Sequence, residues 1–520
     1  MPKWLNDAVF YEIYPQSFYD TNGDGIGDIP GIIEKLDYIR DLGCNALWIN
    51  PCFDSPFKDA GYDVRDYKKV AARYGSNEDL VRLFRTAHEK DMHVLLDLVP
   101  GHTSEEHEWF KASGKAERNE YSDRYIWTDY WIKGIGGHPY IAGECERNGA
   151  YMLNFFKCQP ALNYGFLNPT QEWQISYQDP AAVATQDAIM DIMRFWLDRG
   201  CDGFRVDMAD SLVKDDDEEK SGTCCFWRRV RKMLDASYPE AALVAEWSNP
   251  WLALKSAGFH MDFYLDHGGN GYNTLLRDYE VSTPDNSYFK KDGDGDITRF
   301  LKDYLPRYEV AKGHGYVSLI TGNHDTPRVA YTLDEAELKL AYATLFTLPG
   351  VPFLYYGDEI GMRYLADLPT KEGGYTRTGS RTPMQWDDSK NCGFSAAAEE
   401  DQLYLPVDEG GPSVKAMAER GDSLYRTLQA VLALRHREKN LQADGEFIVL
   451  LGEKDAPFIY RRGELLLAVN PKGEQQAADL AALLEKGDAC PWQMLFSIGE
   501  VSLREGRLTM PAQSFAVLKR

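Results

Sequence analysis

Three acidic residues each stand at the end of a short apolar run, and together they could perform acid–base chemistry. The runs are GFRVD at 203–207, ALVAE at 242–246 and SLITGNHD at 318–325, so the acids are Asp207, Glu246 and Asp325. Short apolar runs are typical of strands buried on both faces, where an acid is rare unless it is paired. In a barrel of parallel strands, the carboxyl ends meet at one face. Two acids there can serve one sugar ring as nucleophile and proton donor.

The composition limits the classes of protein to consider. The chain has 520 residues, of which 44% are hydrophobic and 13% aromatic, so it can form a large core. A formal net charge of −24 argues against nucleic acid or a membrane surface as a partner. Nine cysteines without a CxxC pair indicate free thiols, and the N-terminus MPKWLNDAVFYE lacks the pattern of a signal peptide. We expect a cytoplasmic protein that binds a small molecule, either as a monomer or as a homodimer.

Short apolar runs alternate with helical patterns along the chain, which is typical of βα units around a parallel sheet. The predicted helices are 32–41, 77–90, 186–199, 335–347 and 423–437. The predicted strands are 9–13, 46–49, 94–98, 203–206, 243–245, 261–264, 317–320 and 352–355. Eight strands are what a closed (β/α)8 TIM barrel needs. The predicted fold class is therefore α/β.

Two parts of the chain do not fit the βα pattern. The stretch 103–177 is too long for one helix and is rich in Trp, Tyr, Gly and Asn, so we interpret it as a small domain inserted after the third strand. From about 443 to 520, alternating segments predict a separate antiparallel β domain. The catalytic barrel would then consist of residues 1–102 and 178–442.

Nine motifs between Val9 and Phe394 resemble those of one enzyme family. They are YEIYPQSFYDTNGDGIGD, DSPFKDAGYDVRDY, DLVPGHTS, QPALN, GFRVD, AEW, GNHD, YYGDE and RTPMQWD. Because they occur in the family's order, the chain is identified as a member of the α-amylase superfamily of glycoside hydrolases (glycoside hydrolase family 13). The resemblance is closest to the α-glucosidase and oligo-1,6-glucosidase branch. It implies a catalytic barrel, an inserted domain B after strand 3 and a C-terminal β-sandwich.

The resemblance implies a role for each acid: Asp207 is the nucleophile, Glu246 the general acid/base and Asp325 the stabiliser of the transition state. Arg205 precedes Asp207 by two residues, so both side chains lie on the same face of the strand. We expect this guanidinium to bind at the site and to lower the pKa of Asp207.

The resemblance also implies a set of residues that bind the sugar. His102 and His324 resemble histidines that donate hydrogen bonds to sugar hydroxyls at the cleavage site. Tyr62 and Asp59 resemble the pair that holds the terminal sugar at the non-reducing end. Two further candidates are Arg381, which would pair with Asp59 or Asp325, and Phe155, as an aromatic wall.

The segment DTNGDGIGD at 20–28 is a candidate calcium loop. Oxygen ligands at alternate positions, with glycines that permit tight curvature, suit Ca²⁺. An EF-hand would carry Glu at the twelfth position, where this chain has Gly31. The resemblance instead implies a structural calcium site after the first strand. Its ligands would be Asp20, Asn22, Asp24, the carbonyl of Ile26, and Asp28.

Two departures from the family pattern bear on function. The asparagine expected before His102 is Gly101, so a second calcium between barrel and insert is not expected. Met208 follows the nucleophile where the branch carries a small residue or Val, so the preferred glycosidic linkage is open.

The sequence therefore predicts a retaining α-glucosidase that cleaves short oligosaccharides from the non-reducing end. The alternatives are an endo-acting α-amylase and a glucosyl-transferring relative, namely a transglucosylase, isomerase or phosphorylase. A further alternative is a non-catalytic homologue, against which the intact acids argue.

Overall fold

Eight parallel strands enclose the centre of the molecule. A computed structural model describes residues 1–130, 137–280, 284–398, 402–484 and 492–520. Seven neighbouring strand pairs form in register, and a parallel bridge between Ile320 and Phe353 joins the seventh strand to the eighth, which closes the barrel. The barrel strands are Phe10–Ile13, Ala46–Ile49, His93–Leu98, Gly203–Val206, Ala242–Ala245, Met261–Tyr264, Tyr316–Leu319 and Phe353–Tyr355. The predicted (β/α)8 fold is confirmed, and strand ends differ from the predicted ones by one residue at several positions.

Aromatic side chains fill the interior of the barrel. The rings of Phe10 and Phe353 stack with centroids 4.3 Å apart, and Phe263 contacts Phe353 edge-on at 4.8 Å. Trp48 packs against Phe263 at 5.3 Å. Since side chains rather than water occupy this space, the barrel is a rigid support for loops at the carboxyl ends of its strands.

Helices cover the outside of the barrel. In Asn77–His88, the Ser76 hydroxyl accepts a hydrogen bond from the Asp79 amide while Asp79 accepts from the Ser76 amide, a reciprocal N-cap. The predicted helix at 32–41 is instead two helices, Ile29–Glu34 and Leu36–Leu42, with Lys35 between them. The remaining α-helices are Glu108–Ser113, Pro180–Leu197, Ser221–Ser237, Asn273–Leu276, Ile297–Ala311, Glu335–Leu345, Val414–Glu419, Leu424–Arg437 and Leu480–Leu483.

The insert after the third barrel strand contains a small antiparallel sheet. Its strands are Trp127–Thr128, Tyr140–Ala142 and Ala150–Met152. A bridge between His102 and Ala161 ties the insert to the barrel rim. The insert therefore places the segment around Asn154 over the carboxyl ends of the strands. Residues 131–136 lie outside the described residues, and the predicted domain bounds remain predictions.

The C-terminal region consists of two antiparallel sheets. The five-stranded sheet contains Ile448–Leu451, Phe458–Arg462, Leu465–Asn470, Gln493–Ile498 and Ser514–Lys519. The three-stranded sheet contains Gln476–Asp479, Ser502–Arg504 and Arg507–Met510. Leu466 and Leu518 of the larger sheet pack with Leu508 and Met510 of the smaller one, which makes a β-sandwich. Residues on the opposite face of the larger sheet, such as Tyr460, pack with the core of the barrel. Residues 485–491 lie outside the described residues.

Two further observations bear on the sequence-based expectations. Within the ranges that the structure describes, no helix has both the length and the apolar character needed to cross a membrane. The eight cysteines in those same ranges are all free thiols. The cytoplasmic location remains a prediction.

Candidate active site

The parallel register of two barrel strands places two of the predicted acids side by side. Val206 pairs with Ala245, and the amide of Glu246 donates to the carbonyl of Val206 at 3.1 Å. Asp207 and Glu246 are the next residues on their strands, so both project from the carboxyl-terminal face. Asp325 follows the seventh strand and reaches the same cavity. The three predicted acids therefore converge.

Arg205 is the centre of the charged cluster. Its Nη1 lies 3.1 Å from Oδ1 of Asp207 and 2.8 Å from Oδ1 of Asp97, while Nη2 lies 2.7 Å from Oε1 of Glu246. The Arg205 side chain is only 1% exposed, so these ion pairs are shielded from water. Asp97 was not predicted as a site residue, although it is the first residue of the motif DLVPGHTS and an acid inside the apolar run VLLDLV.

Three carboxyl groups around one guanidinium favour retention of a proton within the cluster. Burial and the neighbouring Glu246 raise the pKa of Asp207 well above its usual range, and Arg205 offsets only part of this. The expectation of a lowered pKa for Asp207 is therefore wrong, because burial and Glu246 outweigh the attraction of Arg205, which is shared among three acids. Burial also raises the pKa of Asp97 to about 6. The cluster can thus hold a proton, and a retaining glycosidase requires that proton on the acid that faces the leaving oxygen while the nucleophile is ionised.

The backbone after the nucleophile candidate is in an unusual conformation. Met208 has a φ of 43°, in the left-handed region that non-glycine residues rarely occupy. Its amide donates to Oε2 of Glu246 at 2.9 Å. The strained residue therefore holds the Glu246 carboxylate directly beside the Asp207 backbone, and such strain is concentrated at functional sites.

Asp325 is held by two arginines. Nη1 of Arg377 and Nη2 of Arg381 both lie 2.9 Å from its Oδ1. Burial opposes ionisation, but these guanidiniums keep the pKa of Asp325 well below its usual range. Asp325 is therefore a fixed negative charge in the cavity. The predicted Arg381 pairs with Asp325, and Arg377 was not predicted.

Asp59 lies in the same cavity and is almost completely buried. Nε2 of Gln159 donates to its Oδ2 at 2.7 Å, and Nη2 of Arg377 lies 3.7 Å from its Oδ1. Burial raises the pKa of Asp59 to about 6. One face of the carboxylate is thus held by Gln159, and the other faces Arg377.

Tyr62 connects the two predicted histidines. Its hydroxyl lies 2.8 Å from Nε2 of His324, and the two rings stack 5.3 Å apart. Nε2 of His102 donates to the Tyr62 carbonyl at 3.0 Å, and Nδ1 of His324 lies 3.0 Å from a buried carboxyl oxygen of Glu12. Burial lowers the pKa of His102 to about 4 and that of His324 to about 3, so both rings are neutral at pH 7. Neutral rings suit contacts with sugar hydroxyls.

The cavity enclosed by these side chains has a volume of about 380 Å³. Phe155 lines it and is 51% exposed, as befits an aromatic wall at the mouth. Of the predicted residues, Asp59, Tyr62, His102, Asp207, Glu246 and Asp325 also line it, whereas Arg205, His324 and Arg381 lie behind them and act through contacts. Residues that the sequence analysis missed are Asp210, Trp247, Leu265, His267 and Arg377. Trp247 is part of the motif AEW, and Arg377 lies four residues before the motif RTPMQWD.

Gly101 leaves room for a neighbouring side chain from the insert. A Cβ at Gly101 would lie 2.8 Å from Nδ2 of Asn154. Oδ1 of that asparagine accepts from Nζ of Lys214 at 3.2 Å, and Nζ also donates to the Ser211 carbonyl at 2.6 Å. An ammonium group therefore lies where barrel and insert meet. The expectation about a second calcium remains a prediction.

The candidate calcium loop is wrapped around Asp20. Oδ1 of Asp20 accepts from the Gly23 amide at 2.8 Å, and Oδ2 accepts from the Gly25 amide at 2.8 Å. Oδ1 of Asp28 accepts from the Gly31 amide at 2.7 Å and caps the helix Ile29–Glu34.

The fit of the loop to a cation is partial. Asn22 and Asp24 are exposed and hold turns with the amides two residues later, at 2.9 Å each. The carboxylates of Asp20, Asp24 and Asp28 do not all lie within 4.8 Å of one another. The oxygen donors are of the kind that Ca²⁺ prefers, but they would have to move closer together.

The whole chain was compared with known proteins. The family model described as alpha amylase, catalytic domain, matches residues 12–444. The chain belongs to the α-amylase family. It is therefore an enzyme of the glycoside hydrolase type, and the resemblance identified from the sequence motifs is confirmed.

Curated relatives of this α-amylase family member include hydrolases and a synthase. It is 34% identical to the trehalose synthase/amylase TreS of Mycolicibacterium smegmatis over 507 residues, covering 88% of this chain and 80% of the relative. It is 33% identical to the oligo-1,6-glucosidase of Heyndrickxia coagulans, covering 90% and 92%.

Among solved structures, the isomaltulose synthase of Erwinia rhapontici NX5 in complex with sucrose superposes with a TM-score of 0.81 at 25% identity, covering 100% of this chain and 99% of the other.

Proposed function

We propose that this enzyme is a retaining α-glucosidase that removes single glucose units from the non-reducing end of short α-glucosides. The observation that carries the proposal is the position of Asp59. Its buried carboxylate lies in the same cavity as Asp207 and Glu246 and is fixed by Gln159 and Arg377. A carboxylate in this position would bind the hydroxyls of a terminal sugar and close the cavity behind it. A polymer could not pass through such a site.

The proposed reaction uses the two acids in turn. Glu246 gives its proton to the glycosidic oxygen while Oδ of Asp207 attacks the anomeric carbon, and the bond to the leaving sugar breaks. Glu246, now ionised, takes a proton from water, whose oxygen attacks the anomeric carbon and releases Asp207. Both carboxylates bind the same guanidinium, which favours the short separation of a retaining enzyme. Asp325, kept ionised by Arg377 and Arg381, would stabilise the positive charge of the transition state.

A second candidate function is transfer of the glucosyl group to another sugar. The observation that favours it is the apolar rim of the cavity, where Phe155 packs on Phe156 at 4.5 Å and Phe156 lies 6.2 Å from the exposed Tyr375. Such a rim can hold a leaving sugar beside the covalent intermediate and limit the entry of water. Relatives that are named synthases agree with this alternative.

We also propose that the loop at 20–28 binds one structural Ca²⁺ through Asp20, Asn22, Asp24, the carbonyl of Ile26 and Asp28. The loop lies between the first strand and the helix Ile29–Glu34, so the ion would stabilise this connection. It has no role in the proposed chemistry.

Product analysis tests the proposal. The enzyme is incubated with maltose, isomaltose, sucrose, trehalose, maltotriose and soluble starch, with and without phosphate, and early products are identified. α-Glucose from disaccharides and single glucose units from maltotriose are expected, with little action on starch. Isomerised disaccharides would favour the transfer reaction, glucose 1-phosphate a phosphorylase, and early release of longer oligomers from starch an endo-amylase.

A further inference from the structure

At the amino-terminal face of the barrel, opposite the acids, three side chains from separate elements converge. His88 ends the helix Asn77–His88, His93 begins the third barrel strand, and Asp202 immediately precedes the fourth. Nε2 of His88 lies 2.8 Å from Oδ2 of Asp202, and Nδ1 of His93 lies 3.1 Å from Oδ1. Among the described residues, this is the one group of three His, Cys, Asp or Glu side chains in which one ligand atom from each lies within 4.8 Å of the other two.

We propose that His88, His93 and Asp202 bind one divalent transition cation of the zinc class. Two imidazole nitrogens and one carboxylate form a ligand set that suits Zn²⁺, Ni²⁺ or Cu²⁺ rather than Ca²⁺ or Mg²⁺. The spacing of the three donor atoms requires only small movements around an ion with bonds of about 2.0–2.2 Å. No role in glucoside cleavage is implied.

The neighbours of the three ligands hold them in place. The Val94 amide donates to Oδ2 of Asp202 at 2.8 Å, which fixes the carboxylate against the third strand. The indole of Trp4 stacks on the His93 ring at 4.0 Å with an interplanar angle of 15°. Supporting contacts of this kind orient ligands and raise the affinity of metal sites.

The site is open to solvent on one side. The His88 side chain is 40% exposed and that of His93 is 29% exposed, whereas that of Asp202 is 15% exposed. A cation can therefore enter from solvent, and water can occupy its remaining positions. The ligand atoms would be Nε2 of His88 and Nδ1 of His93, which face Asp202 in the structure. When the cation binds, each of these nitrogens presents a lone pair to it, and the proton is on the other ring nitrogen. The ion would join the end of a helix to two barrel strands.

Calorimetric titration with NiCl2 tests the proposal on the full chain, after removal of any affinity tag and of adventitious metal with a chelator. We expect one equivalent to bind, with affinity reduced at least tenfold in His88→Gln and in His93→Gln. The matched control is His138→Gln, because His138 forms a comparable pair with Asp215 at 3.1 Å but lacks a second imidazole. This variant should bind Ni²⁺ within twofold of the parent protein.

Thermal unfolding provides a second measurement that does not depend on activity. Ni²⁺ should raise the midpoint of the parent protein and of His138→Gln, and should not raise that of His88→Gln or His93→Gln, since a ligand stabilises only the state that binds it. Equal affinities in all four proteins, or no measurable binding to the parent, would overturn the proposal.

Discussion

The substitution Asp59→Asn is expected to stabilise the protein and to impair it as an enzyme. Burial raises the pKa of Asp59 from 3.8 to about 6. Because each pKa unit corresponds to about 1.36 kcal/mol, the ionised side chain lowers the free energy of unfolding at pH 7 by about 3 kcal/mol. Asparagine has the same shape without the charge, and its oxygen can still accept the hydrogen bond from Gln159. Asp59→Asn should therefore restore most of this free energy of unfolding.

The expected change in the thermal midpoint follows from the size of the chain. An unfolding entropy of about 2.1 cal/mol/K per residue gives about 1 °C per kcal/mol for a protein of this length, so the midpoint should rise by about 3 °C at pH 7.5. The pH dependence has a definite sign. The folded pKa lies above the unfolded one, so the advantage of Asn is complete above pH 6. It shrinks as the pH falls below 6 and disappears below the unfolded-state pKa of 3.8, where Asp59 is protonated in both states.

Activity should change in the opposite direction. A charged acceptor of sugar hydroxyls contributes about 1.5–3 kcal/mol, so kcat/KM on maltose should fall about 10- to 100-fold. Asp59→Ala is the matched control, since it removes the charge but also leaves the Gln159 amide without its partner. It should lose activity equally and gain less stability. An unchanged or lower midpoint for Asp59→Asn at pH 7.5, or a gain that is as large at pH 4 as at pH 7.5, would refute the electrostatic reasoning.

Four further substitutions test the active site and the candidate calcium loop. Asp207→Asn should reduce kcat by several orders of magnitude, and Glu246→Gln should affect maltose far more than aryl glucosides with good leaving groups; near-native turnover by Asp207→Asn would remove it as the nucleophile. Arg377→Lys should lower kcat/KM on maltose about 10- to 100-fold with little change in the thermal midpoint, because Lys cannot bridge Asp325 and Asp59; unchanged kinetics would mean that Arg377 does not position either acid. Added Ca²⁺ should raise the thermal midpoint of the parent protein and not that of Asp24→Ala, with pH–rate profiles alike; equal responses would exclude the loop.

The barrel could be predicted from the sequence because its strands are buried on both faces. Runs such as Ala46–Ile49 and Ala242–Ala245 are apolar throughout, as is typical of a parallel sheet covered by helices. The exact first and last residues of the strands could not be predicted. The third strand begins at His93 rather than at Val94, since polar residues at strand ends give no periodic signal.

The convergence of the three acids could also be predicted from the sequence, but their pKa values could not. The spacing of Arg205 and Asp207 correctly placed both on one strand face. The sequence gives no indication that the same guanidinium also binds Asp97 and Glu246, which come from two neighbouring strands. Because the pKa of Asp207 depends on how many acids share one cation, it could be assigned only from the three-dimensional contacts.

The choice between hydrolysis and transfer could not be predicted from the motifs. In the proposed mechanism both reactions would form the same intermediate on Asp207, so the same strands and acids would serve each. What differs is whether water or a second sugar reaches the anomeric carbon, and this depends on the rim of the cavity. Phe155 at that rim comes from the insert. Among the other residues that line the cavity, Asp210 follows the fourth strand, and Leu265 and His267 follow the sixth. Loops vary without disturbing the barrel, and for this reason relatives of similar identity include both glucosidases and synthases.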